Sequence, residues 1–307
     1  MSINPAMRAA LKAISYMDLD IRKTYKMTRK LSKMLATLYT APEDYTIWEH
    51  PVEREGHSVP VRIFSPPQPG GAALVFFHGG GWVTGDIDTY SRTCVDMCSQ
   101  TGHIVIAVDY RLSPEYRFPV ALEDCYAVLR EIYGGHFEGI LPEDITLLGD
   151  SAGGNLAAAV SLMARDRGEF LPRRQILIYP ATSNDHSEGS PYPSVMENGT
   201  EYLLTAKRVS DYLELYQSSP DDLQNPYFAP ILAEDLTNQP ETLMITAEFC
   251  PLRDEGEHYA ARLREAGNRV ELYRVRDALH GFFTLPPSFS HVSEVYGVIN
   301  RFLGKDV

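Results

Sequence analysis

Cysteine is scarce in this chain, with four residues at Cys94, Cys98, Cys125 and Cys250. They form no CxxC pair and no Cys/His metal-ligand spacing, which argues against a zinc module and a disulfide framework. Cys94 and Cys98 lie four apart in a helical pattern, so they are expected to share one face as a soft apolar pair. Long apolar runs are also missing. No segment reaches the ~18 uninterrupted apolar residues of a membrane span, and the N-terminal stretch lacks the apolar core of a signal peptide. Basic residues are in deficit: Lys and Arg number 28 against 41 Asp and Glu, a formal net charge of -13. That balance argues against a nucleic-acid partner, which demands clustered cations, and against binding to anionic membrane surfaces. Together these absences lead us to expect a soluble cytoplasmic protein without a nucleic-acid or membrane partner.

What is present is ordinary globular composition, 44% hydrophobic and 22% charged, in a chain of 307 residues that can bury a large core without cross-links. Near the N-terminus, Leu11, Ile14 and Met17 recur at helical spacing, as do Leu31, Met34 and Leu38. Such helices either pack into the core or cover a site. Eight β-rich segments follow, at 45–53, 59–66, 73–80, 103–110, 145–151, 175–180, 242–249 and 270–278. Several are nearly continuous apolar runs, the pattern of strands buried on both faces. Helical patterns near 88–100, 119–133, 153–166, 253–266 and 290–303 lie between and after them. The alternation predicts an α/β fold with a mostly parallel, doubly wound sheet. Residues 181–235 separate two strands by more than one crossover needs and read as an inserted cap. The expected organisation is therefore helices contributing to the cap over 1–45, a core over 46–180 and 236–307, and a cap insertion over 181–235. The last strand is expected at a sheet edge, and an open edge makes a homodimer the candidate assembly.

The strongest chemical signal is ITLLGDSAGGNLAAAV, in which Gly149-Asp150-Ser151-Ala152-Gly153 forms a G-x-S-x-G between an apolar strand and an Ala-rich helix. A sharp strand-to-helix turn holds such a serine on strained backbone and points its hydroxyl toward a helix N-terminus, where developing negative charge is favoured. Ser151 is the candidate nucleophile. A second signal, His78-Gly79-Gly80-Gly81-Trp82, follows the strand ALVFF. Its glycines leave backbone amides unshielded for an oxyanion, so Gly80, Gly81 and Ala152 are the expected donors. Of nine histidines, most, such as His57, His103 and His186, are expected to be solvated. His280 differs in following the last strand at the edge where catalytic groups of open α/β sheets gather, and it is the candidate base.

With these residues in hand, the chain resembles the hormone-sensitive-lipase-like family of bacterial esterases of the α/β-hydrolase superfamily. The resemblance runs from about residue 40 onward and rests on HGGGW (78–82), DYRLSPEYRFP (109–119), GDSAGG (149–154), NPYFAPI (225–231), PLRDEG (251–256) and HGFF (280–283). It implies an eight-stranded core, a helical cap, no cofactor or metal, and cleavage of small carboxylic esters. It also implies that Asp109, Arg111 and Glu115 are buried ion-pairing groups. One departure matters: where the family carries the triad acid, this chain has Cys250, in Cys250-Pro251-Leu252-Arg253-Asp254. A neutral thiol is a weak partner for an imidazolium. Asp254 is therefore the expected acid, with Glu248 and Asp277 as alternatives and a Cys250 thiolate as a further one. In that role, Asp254→Asn is expected to lower kcat at least about a hundredfold. The expected activity is hydrolysis of acetyl to hexanoyl esters. A weakly catalytic or non-catalytic ligand-binding protein, and an amide or peptide hydrolase, stand beside it.

Overall fold

A computed structural model describes residues 12, 13, 15, 20–54, 56–69 and 72–304. The helical positions Leu11, Ile14 and Met17 lie outside the described residues. The strands are β1 (Thr46–Glu49), β2 (Val52–Arg54), β3 (His57–Val59), β4 (Val61–Ser65), β5 (Ala73–Phe77), β6 (Ile104–Val108), β7 (Ile145–Asp150), β8 (Arg174–Ile178), β9 (Glu241–Phe249) and β10 (Val270–Leu279). The helices are α1 (Ile21–Ala36), α2 (Ile87–Thr101), α3 (Val120–Tyr133), α4 (Ala152–Arg167), α5 (Pro193–Asn198), α6 (Ala206–Tyr216), α7 (Arg253–Glu265) and α8 (Ser290–Phe302).

The apolar runs dictate the sheet. Every residue of β5, β6 and β7 is buried, so these strands need a helical layer on each face. An eight-stranded sheet results, in the order β1-β4-β6-β5-β7-β8-β9-β10. The β1/β4 and β4/β6 pairs are antiparallel and the rest are parallel. From β5 the chain winds outward to β6, then returns past β5 to β7. With right-handed crossovers, this reversal puts α2 on the opposite face from α3, α4 and α7. It also opens a crevice at the carboxyl ends of β5 and β7, the place where open α/β sheets hold ligands. The HGGGW loop leaves β5 and the Ser151 turn leaves β7, so both chemical motifs meet at that crevice.

Several local expectations are revised. Segment 45–53 is two strands, because Pro51 has no N–H to give; after it, β2 turns into a separate hairpin with β3. Leu31, Met34 and Leu38 are 52%, 59% and 79% exposed, so this helix buries a different face. His103 and His186 are buried rather than solvated: His103 Nδ1 lies 2.9 Å from the Thr101 carbonyl, and His186 Nε2 lies 2.6 Å from Glu255. Arg111 does form an ion pair, a fork onto the buried Asp124, but is itself only partly buried. Glu115 instead sits at the surface against Arg29, and Asp109 accepts the Ile87 amide at the start of α2. Cys94 and Cys98 are both fully buried on α2, as their spacing predicts.

Candidate active site

Ser151 adopts φ 54°, ψ -116°, a conformation most L-residues avoid. Close packing enforces it. A Cβ on Gly149 would run into the carbonyl of Gly153, and one on Gly153 into the carbonyl of Phe77, so only glycine lets strand, turn and helix approach this closely. The Ser151 amide donates to the Ile178 carbonyl at 2.9 Å, and its own carbonyl accepts from Asn155 at 3.1 Å, tying the turn to β8 and α4.

The hydroxyl reaches His280, with Oγ 2.9 Å from Nε2. The ring of Tyr179, at a centroid distance of 4.6 Å, packs against the imidazole. On the far side, His280 Nδ1 lies 3.1 Å from Cys250 Sγ, and the same sulfur accepts the Leu252 amide at 3.4 Å. Burial pushes the Cys250 thiol up, so it stays neutral. Burial likewise pushes the His280 imidazole down to about 3, and among the described residues no carboxylate opposes it.

The assignment of the acid to Asp254 is therefore corrected. Asp254 opens α7, and its carboxylate accepts from the Ser194 amide at 2.7 Å and from Arg253 Nε at 2.7 Å. It ties the insertion to the core instead of meeting His280. Glu248 accepts the Asp277 amide at 2.7 Å, and Asp277 lines a separate surface cavity with Arg276 and His291. Asp254→Asn is accordingly expected to change kcat less than about threefold, measured as p-nitrophenyl ester turnover, since Asn keeps an acceptor for the Ser194 amide.

The expected oxyanion donors border the same pocket as the serine. Gly80, Gly81 and Ala152 line one pocket of ≈ 280 Å³ with Ser151 and His280. Among the described residues none of their amides has a hydrogen-bonded partner. Gly80 (φ 116°) and Gly81 (φ 62°) both occupy backbone that favours glycine, and a side chain on Gly81 would strike the ring of Tyr212.

Three supporting residues escaped the sequence reading. Asp150, the residue before the nucleophile, is buried and accepts the Gly79 amide at 2.7 Å. It also accepts from the hydroxyls of Tyr90 and Tyr179, at 3.3 and 3.4 Å. Burial raises its carboxyl to about 7 against these hydrogen bonds. Tyr179 thus touches both Asp150 and the base. Glu255, 0% exposed, accepts the Thr182 and Ser183 amides at 2.7 and 3.1 Å and fixes the start of the insertion. A buried carboxylate in the middle of an acidic run leaves no periodic signature, although the GDS order hinted at Asp150.

A serine on a strand–helix elbow with an imidazole within hydrogen-bond reach, in a pocket lined by a glycine-rich loop, is the arrangement of a serine hydrolase. Known proteins agree. The alpha/beta hydrolase fold family matches residues 74–284. The ethyl acetate hydrolase of Pseudomonas putida is 37% identical over 238 residues, which cover 76% of this chain and 74% of that protein. The arylesterase of Saccharolobus solfataricus is 34% identical over 97% of this chain and 98% of its own. Among solved structures, a hyperthermophilic esterase from Pyrobaculum calidifontis superposes with a TM-score of 0.86 at 35% identity, covering 99% of this chain and 98% of that one. The chain belongs to the alpha/beta hydrolase fold family, in its hormone-sensitive-lipase-like branch, and is a carboxylic ester hydrolase.

Proposed function

We propose that this esterase cleaves short-chain acyl esters through an acyl-enzyme on Ser151, with His280 as base and the Cys250 thiol standing where a carboxylate usually does. The observation that carries the reading is the 2.9 Å contact between Ser151 Oγ and His280 Nε2 beside the amides of Gly80, Gly81 and Ala152. With its proton on Nδ1, His280 takes the Ser151 proton at Nε2 as Oγ attacks the ester carbonyl carbon. The carbonyl oxygen becomes an oxyanion and is received by the three amides. Collapse breaks the ester bond, and the alkoxide leaves with the proton from Nε2. Water then repeats the sequence on the acyl-enzyme and releases the carboxylic acid.

Cys250 makes this machinery slow. When Nδ1 carries the proton, the sulfur accepts it and holds the productive tautomer. A neutral thiol supplies no charge to the imidazolium, however, and its own S–H can turn onto Nδ1 and favour the unproductive one.

The size of the pocket supports the short-chain reading. Its ≈ 280 Å³ lies at the low end of small-molecule sites. Leu203, Leu204, Val209 and Tyr212 of the 181–235 insertion line it together with Leu252, the role of a cap that shapes an acyl pocket. Acetyl to hexanoyl p-nitrophenyl esters are expected to exceed the dodecanoyl ester in kcat/KM by at least about tenfold. A preference for the dodecanoyl ester would overturn the short-chain assignment, and faster turnover of the matching p-nitroanilides would overturn the ester assignment.

A further inference from the structure

Helix α1 inverts the charge of the molecule. Its sequence, IRKTYKMTRKLSKMLA, holds six cations (Arg22, Lys23, Lys26, Arg29, Lys30 and Lys33) and no acidic residue, in a chain whose net charge is -13. Some of these cations seat the helix. Arg29 donates to the carbonyls of Val83 and Ser113, both at 2.6 Å, and pairs with Glu115; Arg22 pairs with Asp20 and Glu214; Lys33 pairs with Asp86. Ile21 packs in a small apolar cluster with Val83 and Leu215, flanked by Tyr25 and Tyr212. The helix is therefore held against the loop that follows HGGGW and against α6 of the insertion.

The outer surface of this seated helix is divided lengthwise. At 100° per residue, Met27, Leu31 and Met34 fall within an arc of about 60°, and Lys23, Lys26, Lys30 and Lys33 fill the arc beside it, while Leu38 follows just past the end of the helix. Met27 is 60% exposed, in line with the other members of the stripe, and Leu35, about 40° beyond its edge on the wheel, is 53% exposed. Lys26 and Lys30 are exposed and pair with no carboxylate among the described residues, while Lys23 has only Asp20, at 3.8 Å. An apolar stripe flanked by lysines on an exposed helix is the arrangement that lies in a bilayer interface, apolar side chains among the acyl chains and ammonium groups among anionic headgroups. Whole-chain charge does not oppose this, because at physiological salt only charges within about 8 Å of the docked face are felt.

The stripe also leads to the catalytic centre. Leu35 and Leu38 line a groove of ≈ 570 Å³ together with Tyr39 and Arg92. That groove shares Gly80, Tyr90 and Thr284 with the pocket of Ser151. We propose that α1 docks the protein on anionic phospholipid surfaces, with the mouth of the active site turned toward ester substrates partitioned there. The second half of this statement rests on the esterase reading above; the docking itself does not.

The test is co-sedimentation of the full chain with phosphatidylcholine vesicles, with and without phosphatidylserine at about one part in three. The wild type is expected to bind the anionic vesicles at least about tenfold more tightly than the neutral ones, and to be released by about 0.5 M salt. Lys26→Gln with Lys30→Gln should weaken that binding roughly 30-fold, about fivefold for each cation. Met27→Ser with Leu31→Ser and Met34→Ser should weaken binding to both vesicle types. These side chains are exposed and outside the catalytic pocket, so hydrolysis of p-nitrophenyl acetate in solution should stay within about twofold for every variant. Absence of vesicle binding, or equal binding by wild type and both variants, overturns the proposal. So does a dimer that the triple serine variant converts to monomer, since a second copy of the chain would then cover the stripe. Vesicle binding is read without turnover, so a failure of the esterase assignment leaves the result interpretable.

Discussion

Ser151→Ala is expected to abolish covalent labelling by an organophosphate and to lower kcat at least about a hundredfold. The size of that loss carries information about Cys250. In a triad with a carboxylate, removing the serine costs about 10⁶ in kcat and removing the acid alone about 10⁴, because the three groups act as one unit. If the thiol contributed nothing, the machinery would already be short by about that second factor, and losing Ser151 would cost only about 10² more. A full 10⁶ loss would mean that the thiol serves as well as an aspartate. The contact of Oγ with Nε2 at 2.9 Å makes Ser151 the group whose removal silences labelling whatever the third member does. A Ser151→Ala protein that still took up the organophosphate would remove this residue from the chemistry.

Cys250→Asp is expected to raise kcat by about 10² to 10³, the opposite of what substitution at a buried active-site position ordinarily does. The pocket is prepared for a carboxylate: the residue is fully buried, the Leu252 amide points at its side chain, and His280 Nδ1 is within reach. An aspartate there would hold the productive tautomer and stabilise the imidazolium. The pH profile gives an independent reading. Burial holds the native imidazole down at about 3, so His280 stays neutral at every pH above about 4 and gives kcat/KM no acid limb near neutrality. A carboxylate beside Nδ1 favours the protonated ring and raises its pKa. The acid limb of Cys250→Asp should therefore appear between about pH 5 and 7, with rate lost as the base takes up a proton. Asp150, raised to about 7, contributes its own limb to both proteins, so His280 is read from the additional loss that appears only in Cys250→Asp. Identical profiles, or a variant slower than wild type with its fold intact, would show that residue 250 does not act on the base.

Much of the fold was legible because burial on both faces writes itself into composition. The runs ALVFF, IVIAV and ITLLG are strands for which no amphipathic alternative exists, and they are β5, β6 and most of β7. The elbow and the glycine loop were legible because backbone geometry there tolerates few residues. The third member of the triad was not. Side-chain chemistry pointed to Asp254, whereas the position is set by where β9 ends. The side chain of residue 250 is aimed at His280, and Asp254 lies one turn further on, facing Ser194. Periodicity also failed on α1 for a physical reason. It detects that Leu31, Met34 and Leu38 share a face, and says nothing of whether that face meets protein, lipid or water.

Asp150 joins two parts of the catalytic apparatus that the sequence keeps 71 residues apart, since its backbone leads into the elbow while its side chain holds the Gly79 amide. For an engineer this makes the elbow and the oxyanion loop a single transplantable part. A glycine-rich loop grafted onto another scaffold without its buried carboxylate would bring the right amides with nothing to aim them. Directed evolution of either segment alone would search a landscape in which the better half of each solution is encoded in the other.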